Sequence, residues 1–333
     1  MSERRVVLLF PGQGTLRAGM GRELLVALPG LREELRRVSS IIGLDLESTS
    51  RGPLSAMVPT DVAQRLVVGW ALALHARVLG DDLPLVGTAG HSVGELAAVA
   101  AAGVIDIDDA LRLVVTRAEV MAGLRAGGAM TAIEGIERER IEANLARVPG
   151  GGAVVGLHNG STSVVVSGTE EAVALIEAGA KAWGARRVVR LAVSDAFHSP
   201  AMTPALRPWR DAVDATAARP GRCPVVLNVD GTASVSVGRV LDGLVTQLDH
   251  PVEWLRCLDS IAALRPTDLV EVGATSSLLR PARRHLATTS RSVRCWSLAD
   301  PRQARRWAAW RRTPADPDPG PSVARAAGSV VTA

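Results

Sequence analysis

Apolar positions recur along the chain in two rhythms, and their alternation predicts the architecture. Val6–Phe10 is an unbroken apolar run, the signature of a strand buried on both faces. Helical spacing follows over 20–27 and 31–42, then a polar, Pro-marked connection over 48–59. A long apolar helix spans 60–79, opened by Thr60-Asp61 and stopped by Gly80. A second apolar stretch ends at Gly90 and runs directly into an Ala-rich helix closed by Gly103. The next helix, 106–124, starts from Asp106 or Asp108 and ends at Gly127-Gly128.

From Gly128 the rhythm changes. Strand (129–134), helix (138–147), strand (153–158), strand (163–167), helix (170–183) and strand (187–193) succeed one another, the βαββαβ order of a ferredoxin-like unit. Helical and strand signals then alternate again: helix 204–217, strand 224–228, a helix around 240–247, and a helix opened by His250-Pro251-Val252-Glu253-Trp254. Strand 268–273, helix 277–286 and a last strand at 293–297 complete the pattern. The fold class expected is α/β: a large α/β-hydrolase-like domain (1–127 and 196–300) with an inserted ferredoxin-like βαββαβ subdomain (128–195). Residues 301–333, rich in Arg and Pro, are expected to form a disordered tail.

Composition narrows the function classes. With 47% apolar and 22% charged residues, the 333-residue chain reads as an ordinary soluble globular protein. Its formal charge of +4 matches the six arginines and two aspartates of the segment 301–333, so the body is close to neutral. No basic face, and only 3% aromatic residues, argues for nucleic acid. Cys223, Cys257 and Cys295 have no metal-ligand spacing, which fits reduced thiols in a cytoplasmic protein. The first apolar run is too short for a signal peptide or a membrane span.

The chemistry gathers at Gly90-His91-Ser92-Val93-Gly94. This is G-x-S-x-G between a strand and a helix, the context in which a serine is presented on a strained turn at a helix N-terminus. A serine there can attack a carbonyl. The same letters also fit an ordinary Gly–Ser turn. Pro11-Gly12-Gln13-Gly14, directly after the first strand, reads as a loop offering Gln13 and its N–H to a reacting group, or as a simple turn. Arg117 stands among Leu113, Val114, Val120 and Met121 on an apolar helix face. An unpaired guanidinium is costly to bury. A bidentate clamp for a carboxylate would explain it, while an ion pair or a snorkelling side chain fits the helix context better. His198 leaves the last strand of the inserted unit just before Pro200, a loop position from which it could serve the serine as base.

Taken together these residues resemble the malonyl-CoA:acyl carrier protein acyltransferase family, over about residues 5–298. The resemblance rests on Pro11-Gly12-Gln13-Gly14, Gly90 to Glu95, Arg117 with Gly128-Ala129-Met130, Asn159 and 164–168. It continues through Ala196-Phe197-His198-Ser199, Asn228, Pro251-Val252 and Glu271-Val272-Gly273. It implies ping-pong transfer without metal or redox cofactor. Ser92 would be the nucleophile, His198 its base, the N–H groups of Gln13 and Val93 the oxyanion hole, and Arg117 the clamp for the malonyl carboxylate. Coenzyme A would leave, and the phosphopantetheine thiol of a holo acyl carrier protein would take the acyl group. The resemblance also implies a backbone carbonyl holding the other nitrogen of His198, with the turn at 250–252 as candidate. His91, Asp195, Phe197, His158 and Asn159 would line the acyl pocket. Val93 and Ala196-Phe197-His198 match the malonyl-selecting spelling; Asp195 and His158 depart from it, and a carboxylate at 195 would suit an α-hydroxy or α-amino malonyl group. Alternatives are an acyl hydrolase of the same fold and an inactive docking module. The expected setting is polyketide or fatty acid synthesis in trans, with the arginines at 302–312 facing an acidic carrier protein.

Overall fold

The computed structural model describes residues 4–80, 82–148, 151–193, 195–288 and 293–310. Its strands are β1 (Val6–Phe10), β2 (Leu85–Gly90), β3 (Ala129–Glu134), β4 (Ala153–Gly160), β5 (Ser163–Gly168), β6 (Arg187–Arg190), β7 (Val225–Val226), β8 (Ala233–Ser234), β9 (Asp268–Glu271) and β10 (Arg294–Ser297). They form two sheets. The larger has the order β10-β9-β1-β2-β7-β8, parallel except for β8.

Every residue of β1 is fully buried, and the period of two sends its side chains into different cores. Val6, Leu8 and Phe10 pack with Leu66, Trp70 and Leu96 on one face. Val7 and Leu9 pack with Trp254, Leu258 and Ile261 on the other. The helix Thr60–Leu74, continued by one wide turn at His75–Leu79, is the central helix of the first face. By length and composition it could cross a membrane, but 78% of its apolar window is buried inside the protein, as a core helix should be.

The smaller sheet, β4-β5-β3-β6, is antiparallel throughout. It shares a core of its own with the helices Arg138–Leu145 and Glu170–Ala180, among them Ile133, Ile141, Val164, Val173 and Ile176. The chain enters this unit at Gly128, whose φ of 128° and the carbonyl of Gly168, 2.7 Å from where a Cβ would stand, leave no room for another residue. The edge strand β4 is tied to the larger unit by His158 N–H to Val252 O and Val252 N–H to Gly156 O, each 2.9 Å.

Several expectations change: the strands expected over 224–228 and 268–273 shorten to Val225–Val226 and Asp268–Glu271, and the helix expected over 204–217 ends at Asp214. The connection at 48–59 begins inside a helix, Leu46–Arg51, whose N-terminus is capped where Ser48 N–H donates to Asp45. The strand expected over 187–193 stops at Arg190. The expected disordered tail opens as a helix, Pro301–Trp310. Ala304 and Trp307 fall on one face of it and are buried; Trp307 meets Trp296 of β10 edge-on at 5.4 Å. Asp300 accepts from the N–H groups of Arg302 and Gln303, capping the first turn. A helix with an apolar stripe was hidden by the prolines beyond its end; the remainder, 311–333, lies outside the described residues.

Candidate active site

The carboxyl ends of β1 and β2, adjacent at the middle of the large sheet, present the loops Pro11–Gly14 and Gly90–Gly94, where open α/β sheets bind ligands. Ser92 has φ 52°, the left-handed region. The turn can close only because a Cβ on Gly90 would stand 2.0 Å from the Gly94 carbonyl, and one on Gly94 2.3 Å from Phe10 O. Asn228, just past β7, holds the strained turn. Ser92 N–H donates to Asn228 Oδ1 (2.7 Å), Asn228 Nδ2 donates to Gly90 O (2.7 Å), and Asn228 N–H donates to Glu95 Oε1 (2.9 Å).

His198 also adopts a left-handed backbone, φ 58°, and is buried. Its turn is held by Ser167 Oγ–H donating to Phe197 O and Ser199 Oγ–H donating to Ala196 O, both 2.6 Å. Nε2 stands 2.7 Å from Ser92 Oγ, and Nδ1 stands 2.8 Å from the carbonyl of Gln247. A carbonyl can only accept, so Nδ1 carries the hydrogen and Nε2 presents its lone pair to the serine hydroxyl. Burial, then the nearby charge of Arg117, pushes the imidazole down to about 3, so it is neutral and free to accept. The carbonyl expected at the turn 250–252 is thus mainly that of Gln247, with the His250 main chain a lesser contributor. Gln247 closes the helix Val237–Thr246, where carbonyls have no partner within the helix.

Arg117, in the helix Ile107–Leu124, is 2% exposed. Nη1 donates to Gln64 Oε1, and Nη2 donates to Gln247 Oε1 at 3.2 Å. Its partners are amides, neither the carboxylate of an ion pair nor the water of a snorkelling chain. Burial lowers it to about 10, opposed by the charge of Glu95. Glu95 is itself fully buried, and burial raises it to about 8 against the pull of the Asn228 N–H, Arg117 and Gln247. Gln247 Nε2 donates to Glu95 Oε2 and, at 3.4 Å, to Ser92 O.

Gln13 opens a single turn, Gln13–Thr15, and its Oε1 accepts from Thr60 Oγ1 at 3.2 Å. The loop lies against the serine turn: a Cβ on Gly12 would stand 2.9 Å from His91 O. Among the described residues, the N–H groups of Gln13 and Val93 donate to no protein acceptor. The Val93 side chain is buried in the core.

The five expected pocket residues separate. His91 Nε2 lies 2.8 Å from Asn159 Oδ1, and its ring meets Trp254 edge-on at 5.2 Å; burial lowers its pKa. His158, the neighbour of Asn159 on β4, takes a different partner, at a point where the pairing of β4 with β5 is irregular. Its Nδ1 lies 3.3 Å from Glu253 Oε2, beside Arg138, whose Nη1 donates to both Glu253 oxygens at 2.6 and 2.8 Å. Asp195 Oδ1 accepts from Gly127 N–H at 3.2 Å, bracing the entry to the small sheet. Phe197 packs into the main core. Gln64, Glu95 and Gln247 were not singled out from sequence for any role. Glu95 did carry a signal, a polar side chain alone in an apolar helix, akin to the one that marked Arg117; Gln64, beside Arg65 and one turn after Thr60-Asp61, carried none.

A family model described as acyl transferase domain matches residues 7–300. Over 291 residues the chain is 33% identical to the malonyl CoA-acyl carrier protein transacylase of Escherichia coli (strain K12), covering 86% of this chain and 94% of that protein. The crystal structure of MCAT from Mycobacterium tuberculosis superposes with a TM-score of 0.82 at 31% identity, covering 92% of this chain and 100% of that one. A malonyl-transacylase in complex with a type II polyketide synthase acyl carrier protein gives a TM-score of 0.83 at 28% identity, covering 92% and 99%.

Proposed function

The chain belongs to the acyl transferase family, and on that premise we propose that it moves malonyl groups from coenzyme A to the phosphopantetheine thiol of an acyl carrier protein. The observation that carries this reading is the convergence on one residue, Gln247. Its carbonyl holds the base that faces Ser92, and its side chain holds the cation that would receive the malonyl carboxylate.

In the first half-reaction His198 Nε2 takes the proton of Ser92 Oγ as the oxygen attacks the thioester carbonyl. The N–H groups of Gln13 and Val93 receive the oxyanion, and having no other acceptor they need not reorganise. The tetrahedral intermediate expels the coenzyme A sulfur, which takes the proton from His198. In the second half-reaction the carrier thiol gives its proton to His198, attacks the malonyl-serine ester, and the proton returns to Ser92 Oγ. The imidazolium is transient and Gln247 O stabilises it, so no carboxylate third member is needed.

Arg117 supplies selectivity. A malonyl carboxylate replaces amide partners with charge-assisted bonds worth roughly 1.5–3 kcal/mol each. The same carboxylate offsets the positive charge that depresses His198, so the right acyl group makes the base stronger as it binds. We read the large sheet as α/β-hydrolase-like and the unit at 128–195 as an inserted ferredoxin-like subdomain; its strand order and two helices support that reading. Intact mass after mixing with malonyl-CoA, then with holo carrier protein, tests the function: a malonyl adduct forms on the chain and moves to the carrier. Free malonate with no transfer would make the chain a hydrolase, and no adduct would end the proposal.

A further inference from the structure

Glu95 is a carboxylate in an otherwise apolar Ala-rich helix, fully buried, and no step of the transfer uses it. Each of its oxygens accepts one hydrogen bond: Oε1 from the Asn228 main chain, Oε2 from the Gln247 side-chain amide. Asn228 N–H is fixed by the backbone. The Gln247 amide is not, because its two ends have similar shape and differ only in that one accepts and the other donates.

We propose that Glu95 is a positioning residue that fixes the direction of the Gln247 side chain, keeping an acceptor and not a donor against Arg117. With its carboxyl ionised, Glu95 only accepts, so the NH2 of Gln247 faces Glu95 and the amide oxygen takes Nη2 of Arg117. Turned the other way, the amide would set two donors against a guanidinium that is all donor, leaving both buried and unsatisfied. Gln64 holds Nη1 from the opposite side, so the guanidinium is oriented by two amides. Glu95 thus governs acyl selectivity without touching the acyl group, and the inference rests on the proposed role of Arg117 as carboxylate clamp.

The test is the isosteric variant Glu95→Gln. An amide at 95 can give its oxygen to Asn228 N–H only by presenting its NH2 to Gln247, which reverses the Gln247 amide. Acyl-enzyme formation is monitored by intact mass with malonyl-CoA and with acetyl-CoA, at about pH 8.5, above the value of about 8 to which burial raises Glu95. The variant is expected to raise KM for malonyl-CoA at least ~10-fold, with kcat for loading within about threefold and acetyl-CoA loading within about threefold. Gln247→Leu, which removes the amide and leaves the main-chain bond to His198, is expected to lower the malonyl-to-acetyl loading ratio in the same direction. Equal loss on both acyl groups in either variant, or an unchanged malonyl-to-acetyl ratio in both, overturns the proposal. Arg117→Ala run beside them separates the two levels. If it fails to lower the ratio, the clamp itself falls; if it does lower the ratio while the Glu95 and Gln247 variants do not, the clamp stands and only the positioning role falls.

Discussion

The two polar clusters at the meeting of the sheets are built on opposite terms. The network of Asn228, Glu95, Gln247, Arg117 and His198 belongs to the large unit alone, and all five side chains are buried. Its acid, Glu95, and its guanidinium do not hydrogen-bond each other; a neutral amide stands between them. The Arg138–Glu253–His158 cluster crosses from the large unit to the small one, and there the groups meet directly, with Glu253 buried and Arg138 21% exposed along its side chain. Burial pushes Glu253 up, but His158 and Arg138 outweigh it and hold the carboxyl at about 2. The small unit is therefore fastened by ordinary ion pairing, whereas the large unit keeps its cation short of a charged partner. A guanidinium satisfied by amides is oriented yet still hungry for an anion, which is what a carboxylate receptor requires.

Variants can overturn this contrast, from the strongest effect down. Ser92→Ala should abolish the malonyl adduct seen by intact mass, since no other hydroxyl is presented to His198 among the described residues. Arg117→Ala should lower kcat/KM for malonyl loading ~100-fold while neutral acyl-CoA loading survives or rises; equal losses would refute the clamp. Glu253→Gln should leave malonyl loading within about threefold but cost about 1–2 kcal/mol of stability by denaturant melting. Its folded pKa lies below the ordinary 4.5, so its contribution is full above that value and vanishes as pH falls toward about 2. The smallest effect is a shape: because His198 is neutral down to about 3, the acid limb of kcat/KM for loading should fall well below the usual histidine 6.5. A limb centred at 6.5 would place an ordinary, wetter imidazole at the site.

Much of this was legible in the letters. The serine turn announces itself because sterics demand Gly90 and Gly94 around it, a local constraint that leaves a local trace. Arg117 was legible as an anomaly, but its helix favoured an ion pair, and only the fold shows two amides instead. Gln247 left no trace at all. A glutamine at the end of an amphipathic helix reads as a surface residue, and its partners lie 130 and 152 residues away in sequence. His158 and Asn159 are adjacent in the letters yet take different partners, Glu253 and His91, at an irregular stretch of β4 that the letters do not announce. The helix Pro301–Trp310 was masked by the proline-rich composition of residues 314–321.

That helix brings its last residue back to the beginning. Trp310 stacks near Trp296 and Trp307, and the guanidinium of Arg4 lies over its ring at 4.0 Å. A polypeptide entering at Arg4 and leaving at Trp310 therefore passes one corner of the sheet edge twice. Such a body can be spliced into a longer chain, or have its ends rejoined, without its neighbours having to stretch around it.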